Sequence, residues 1–141
     1  MKRINVVYSL VTNEAKTKVL LVKNAKNDTW SLPGGAVEEN ETLDEAAIRE
    51  AKEETGLDVK VHGLLAINEA VFEKTAEHVL FITFRAEIVG GTPEIVRPNE
   101  ISQMEWIDIE IADQFMPYYK DGFAKLVRGG HEITYLNEGK V

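Results

Sequence analysis

The sequence predicts an α/β-class (α+β) protein in which a mixed, mostly antiparallel-edged β-sheet is covered by helices. Three observations carry this expectation: β-rich segments outnumber helical ones, one pair is separated by a turn alone, and another is connected through a strongly signalled helix.

Taken in order, Ile4 to Thr12 and Lys18 to Lys23 are rich in Val, Ile, Leu and Tyr and flank a polar Asn13–Thr17 turn, which reads as a hairpin. Thr29 to Leu32 is a short candidate strand. Pro33-Gly34-Gly35 then breaks regular structure, and the double glycine permits close backbone approach to a ligand or a positive φ. Thr42 to Thr55 is the clearest helix: Thr42 and Glu45 form a capping box, the interior is rich in Ala, Glu, Ile and Lys, and Gly56 suits the stop. Val59 to Ala70 and His78 to Val89 have strand character, with a turn at Gly90 to Pro93, and Met104 to Ile107 is a further short strand. Helices over Ile109 to Phe115 and Tyr118 to Val127, and a last strand over Ile133 to Leu136, complete the expected elements.

The whole chain sets limits. At 141 residues, with 44% apolar and 28% charged side chains, it fits one globular domain over 1–141. The absence of cysteine excludes disulfides, cysteine-ligated zinc and a thiolate nucleophile. The basic start and the apolar stretch after it are interrupted by Tyr8 and Ser9, so a first strand is expected rather than a secretion signal. No apolar run reaches the roughly 20 residues that span a bilayer, and a soluble, cytoplasmic protein is expected. A formal charge of −8 argues against long nucleic acid as a partner. A short polyphosphate remains compatible when metal cations lie between carboxylates and phosphate oxygens.

On the predicted helix, Glu50, Glu53 and Glu54 fall within an arc of about 100°, while Ala47, Ile48 and Ala51 occupy a neighbouring one. On an exposed face such like charges cost only about 0.2 to 0.5 kcal/mol per pair, and solvent exposure is the usual meaning of a charge cluster. In a partly desolvated cleft, two carboxylates about 5 Å apart at an effective dielectric of 20 repel by roughly 3 kcal/mol, so the cleft needs cations. Oxygen ligands suit magnesium better than zinc.

Spacing around the trio decides between the two. The stretch Gly35 to Leu57 resembles the Nudix box, G-x5-E-x7-R-E-U-x-E-E-x-G-U with U a bulky aliphatic residue. All seven fixed letters match, at Gly35, Glu41, Arg49, Glu50, Glu53, Glu54 and Gly56. With each position matching by chance at roughly one in fifteen, the coincidence arises on the order of once in 10⁸ starts. Ala51 stands where the first U is expected, which loosens helix packing but removes no ligand. The box covers 23 residues, and Leu32-Pro33-Gly34 before it fits the family's usual approach.

This resemblance implies a Nudix-type α/β/α sandwich with a loop-helix-loop catalytic unit, acting as a hydrolase on nucleoside diphosphates linked to a further group, with Mg²⁺ or Mn²⁺ as cofactor. By similarity Glu53 and Glu54 are the expected direct metal ligands. Glu50 is expected to hold a further metal or its water and is the best candidate for the general base. The Gly34 carbonyl is a further candidate ligand. Arg49 and Glu41 are expected to hold the liganding carboxylates in orientation, and Gly35 and Gly56 to set backbone conformation. Related enzymes often add an acidic residue from a later loop, for which Glu100 is the candidate; solvent exposure explains it equally well.

Lys23 and Gly35 are candidate substrate contacts, although a surface lysine is the commoner explanation of the first. His78 reads as structural, and Trp30, Phe72 and Tyr118 as core residues or base-stacking platforms. The proline expected about fifteen residues beyond the box in ADP-ribose hydrolases is absent at Val71 and Phe72, as is the tyrosine of dinucleoside polyphosphate hydrolases. By elimination a nucleoside triphosphate, cleaved to monophosphate and pyrophosphate, leads. Nucleotide sugars, dinucleoside polyphosphates and RNA 5′ ends stay open, as do a non-catalytic nucleotide-binding module, an acidic protein-interaction domain and a homodimer.

Overall fold

In a computed structural model describing residues 1–141, the strands divide between two sheets. The elements are β1 (Lys2–Leu10), β2 (Lys18–Asn24), β3 (Thr29–Ser31), β4 (Gly34–Ala36), α1 (Leu43–Thr55), β5 (Leu57–Phe72), β6 (Glu77–Gly91), β7 (Ile101–Asp108), α2 (Ile109–Phe115) and α3 (Gly122–Arg128). One sheet has the order β4-β1-β6-β5, with β1 parallel to β6 and its other neighbours antiparallel. The second is antiparallel, in the order β3-β2-β7. The mixed α+β class is therefore observed, with a second sheet beside the mixed one.

The sheets are sandwiched because β2 buries both faces. Val19, Leu20, Leu21 and Val22 are all buried, the continuous apolar run expected of a strand without a wet side. Val19 and Leu21 pack in a cluster with Ile109 and Ala112 of α2 and Phe123 and Leu126 of α3. Leu20 points the other way, into a cluster with Ala51 of α1 and Leu57, Val59 and Ala86. α1 lies on one side, α2 and α3 on the other.

Several expectations are corrected. β1 and β2 do not form a hairpin: both edges of β1 are taken by β4 and β6, so the chain turns a corner into the other sheet. Only a Thr12–Val19 bridge links the two segments, and the Asn13 side chain holds the corner by accepting the Thr17 and Lys18 amides at 2.9 and 3.0 Å. Pro33-Gly34-Gly35 does not simply break structure, since Gly34 and Gly35 pair with Tyr8 and Val7 as β4. Gly90 and Gly91 extend β6, and the chain reverses between β5 and β6 at residues 73–76. The second C-terminal helix starts late, at Gly122, where φ is +80° and Asp113 accepts the Phe123 amide at 3.0 Å. Ile133 to Leu136 forms no strand beyond one bridge between Ile133 and Leu64.

α1 follows its signals. Thr42 caps it, the Thr42 amide donates to Glu45 Oε1 at 3.0 Å, and Gly56 ends it at φ 75°. Two details differ from the helical-wheel reading. Ile48 is exposed at 42%, and Ala51 is packed rather than loose, buried at 2% among Val11, Leu20, Leu57, Val59 and Ala86. The small side chain brings α1 close to the sheet.

Candidate active site: a carboxylate recess beside an aromatic cavity

The buried stripe of α1 runs through Ala47, Ala51 and Glu54, spaced i, i+4 and i+7. Glu54 thus ends this stripe and points toward the sheet, only 7% exposed. Its Oε1 accepts the Gly34 amide at 3.0 Å. Burial is the main reason its pKa rises to about 8, with the Glu50, Glu100 and Glu53 charges adding to the effect.

The glycines of β4 explain how the recess closes. A Cβ at Gly35 would lie 2.7 Å from a Glu50 carboxylate oxygen, and one at Gly34 only 1.9 Å from the Val7 carbonyl oxygen. Neither glycine has a positive φ, so close approach is the reason for both. Hydrogen bonds from Ser9 to Pro33 and from Val37 to Asn5 flank the β1–β4 ladder. By antiparallel alternation the Gly34 amide and carbonyl therefore face away from β1, toward Glu54.

Glu50 shares the recess, its side chain 15% exposed, and burial pushes its pKa up against the opposing pull of Arg49. Arg49 is the organiser. Its Nε and Nη2 donate to the two oxygens of Glu41 at 2.6 and 2.9 Å, and Nη1 donates to Glu50 at 2.9 Å and Glu53 at 3.2 Å. The fork lowers the Glu41 pKa from its ordinary value. Arg97, which the sequence reading did not single out, adds a second guanidinium 3.2 Å from Glu53. Its Nη1 also lies 3.8 Å from Glu100. Glu100 is 53% exposed, yet close enough that its charge acts on both Glu50 and Glu54.

Not every candidate joins this group. Lys23 is engaged by Asp28 at 3.1 Å and lies 5.8 Å from the Trp30 ring centroid. Trp30 packs edge-on against Phe115. His78 pairs with Glu69 at 2.7 Å.

Phe72 and Tyr118 instead line a cavity of about 430 Å³ with Tyr8, Phe81 and Tyr119, where Thr29, Asn68 and Glu69 supply polar groups. The cavity abuts the recess through Tyr8. That residue pairs with Gly34, its pKa is pushed to about 12 chiefly by burial, and it feels the Glu54 charge. A larger cavity of about 540 Å³ around Leu10, Arg85 and Trp106 contains none of the box residues.

Six carboxylates, Glu38, Glu41, Glu50, Glu53, Glu54 and Glu100, thus gather around two guanidinium groups, Arg49 and Arg97. In this arrangement no three acidic side chains close on one point; Arg49 lies between Glu50 and Glu53. The donor set nevertheless fits a hard cation, being all oxygen, partly desolvated and short of positive charge.

Comparison with known proteins identifies the family. A family model described as the NUDIX domain matches residues 2–127. An ADP-ribose pyrophosphatase of Methanocaldococcus jannaschii is 37% identical over 99 residues, covering 68% of this chain and 57% of that protein's length. A MutT-like protein of Streptomyces ambofaciens is 32% identical over 124 residues, 87% of this chain and 77% of its own. Among solved structures, the MutT protein from Methanosarcina mazei Go1 superposes with a TM-score of 0.74 at 28% identity, covering 90% of this chain and 94% of that one. With the domain match spanning nearly all of the chain and the box running from β4 to the C-cap of α1, the chain belongs to the Nudix hydrolase family.

Proposed function

We propose that this protein hydrolyses a phosphoanhydride bond in a nucleoside diphosphate-linked small molecule, a nucleoside triphosphate first among them, giving the monophosphate and pyrophosphate. One observation carries the reading: a recess of desolvated carboxylates, Glu50 and Glu54, opens beside an aromatic cavity of about 430 Å³, so a polyphosphate and a base have adjoining places. Glu53 and Glu54, with Glu50 and the Gly34 carbonyl as further donors and Glu100 as an outer one, would hold a divalent ion, Mg²⁺ or Mn²⁺, which would supply charge neutralisation for the phosphates and activation of a water.

The chain's own residues do the rest. Arg49 and Glu41 fix the carboxylates in one orientation. Glu50, with its raised pKa, is the group that takes the proton from the attacking water. Tyr8, Phe72 and Tyr118 enclose the base, and the polar groups of Asn68 and Thr29 orient it. Lys23, already paired with Asp28, is a weaker candidate for phosphate contact. The absence of the ADP-ribose hydrolases' proline, with Val71 and Phe72 in that region, supports the triphosphate over ADP-ribose. We place the protein in the cytoplasm, where such substrates occur. No helix is long and apolar enough to cross a membrane.

The test is a nucleotide panel assayed with Mg²⁺ and with Mn²⁺ in ¹⁸O-labelled water, comparing the natural protein with Glu54→Gln. The variant keeps an oxygen to accept the Gly34 amide but cannot ionise. Turnover is expected to fall about a hundredfold or more, without loss of the metal-free melting temperature. Unaltered turnover in Glu54→Gln and in Glu53→Gln would rule the reading out.

A further inference from the structure

Beyond residue 127 the chain leaves the stretch that matches the family model, yet it returns to the carboxylate-bearing helix. After Gly129 and Gly130, both at positive φ, the C-terminal segment crosses the β5–β6 face as a strap. Ile133 exchanges two backbone hydrogen bonds with Leu64, at 2.8 and 2.9 Å, and Glu132 pairs with Arg85. The strap lies so near Gly63 that a Cβ there would meet the Glu132 side chain at 2.5 Å and the Ile133 carbonyl at 2.6 Å. Farther on, the Tyr135 ring stands edge-on against Phe84, centroids 5.0 Å apart, and its hydroxyl donates to Asp44 at 3.3 Å. The Asn137 amide donates to Asp44 at 3.0 Å and to Thr42 at 3.2 Å.

Thr42 and Asp44 are the N-cap and the second residue of α1, and Thr42 directly follows Glu41. Glu41 receives the Arg49 fork, and Arg49 holds Glu50 and Glu53. A continuous run of hydrogen bonds and one peptide bond thus leads from the strap to the carboxylates.

We propose that Tyr135 and Asn137 are positioning residues: the strap pins the first turn of α1 and thereby fixes Glu41, Arg49 and the carboxylates Glu50 and Glu53 that Arg49 orients. The proposal deepens the functional reading above and rests on it for its kinetic consequence. Its structural consequence stands apart. Tyr135 and Asn137 touch neither the cavity nor the carboxylates, so their removal acts through Arg49 on orientation and leaves nucleotide binding alone.

The experiment uses the full-length chain with Tyr135→Phe, which keeps the ring on Phe84 and loses only the hydroxyl, and with Tyr135→Phe combined with Asn137→Ala. Gly63→Ala, which displaces the strap from the far side, is a third variant remote from α1. Two readouts are taken on each folded variant: hydrogen exchange of the Arg49 Nε–H by ¹⁵N NMR without metal or substrate, and kcat with KM separately. In the double variant the Arg49 Nε–H is expected to exchange faster, and kcat to fall about tenfold with KM unchanged, the usual scale for groups that orient ligands. Tyr135→Phe and Gly63→Ala are expected to move both readouts the same way by less.

An unchanged Arg49 signal in the double variant overturns the proposal on its own. So does an unchanged kcat, or a loss confined to KM. Should the double variant not fold, Tyr135→Phe carries the same decision. If the natural protein turns over no nucleotide, the functional reading fails, while the Arg49 exchange rate still decides whether the strap holds the site.

Discussion

Arg49 and Arg85 are both forked onto glutamates, and both have their pKa raised by those partners, yet they do different things. Arg49 sits with its side chain 22% exposed among Glu41, Glu50 and Glu53, midway along a helix that also carries the buried Glu54. Arg85 is 47% exposed and meets Glu132 alone on the strap. Water competes freely for the second pair and poorly for the first. The same chemical pair is therefore an organiser of charge in one place and a surface clasp in the other, and the difference lies in the burial around it.

The comparison is tested most sharply by the same substitution at both sites. Lysine keeps the charge but is a point donor and cannot bridge two glutamates in fixed geometry. Arg49→Lys is expected to release Glu50 and Glu53 from a common orientation and lower kcat by about ten- to a hundredfold, with weaker Mn²⁺ binding. Turnover within twofold of the natural protein would show that the Arg49 fork is no more than another ion pair.

How much of this was legible in the sequence depends on how local each feature is. The helix, its cap at Thr42 and its stop at Gly56 are set within about one box length, and the structure has them as expected. The burial of Glu54 was there to be read as well, since 47, 51 and 54 share one stripe; treating Ala47, Ile48 and Ala51 as the apolar arc hid it. Arg97 was not legible. Nothing in its neighbourhood signals a contact with Glu53, 44 positions earlier, which exists only because the segment before β7 folds beside α1. The split into two sheets was equally hidden, because a strand followed by a turn and a second strand looks the same whether the two pair or part. What parts them is that β1 already has two neighbours, β4 and β6, the second with partners 75 residues away. Ala51 was misread for a related reason: a small residue in a helix pattern suggests looseness until the sheet it presses on is known.

At the exposed site, Arg85→Lys is expected to cost no more than about 1 kcal/mol in urea denaturation, since a pair open to water contributes little and a lysine keeps most of it. Its kcat should stay within about twofold, because the strap is also held by the Leu64–Ile133 bonds and by Tyr135. A loss matching that of Arg49→Lys would erase the distinction between the two arginines.

The smallest expected effect is a pH dependence that belongs to the clasp. The hydrogen bond from Arg85 is the main cause holding Glu132 below its ordinary value of 4.5, with partial burial opposing it. A carboxylate depressed in the folded state binds fewer protons there than in the unfolded chain. Its stabilising contribution is therefore complete above the ordinary value and is lost as the pH falls through the depressed one. Exchange of the Ile133 amide, which bonds to the Leu64 carbonyl at 2.9 Å, reports whether the strap is seated. On acidification below 4.5 that amide should lose protection by an amount worth about 0.2 to 1 kcal/mol, less at high salt. In Arg85→Ala the acid-induced step should vanish while the rest of the protection remains. A step that survives the loss of Arg85 would assign the titration to another group, such as Asp44. That carboxyl too is held low, by hydrogen bonds from Thr42, the Glu45 amide, Asn137 and Tyr135 that outweigh its burial, and it anchors the other end of the same strap.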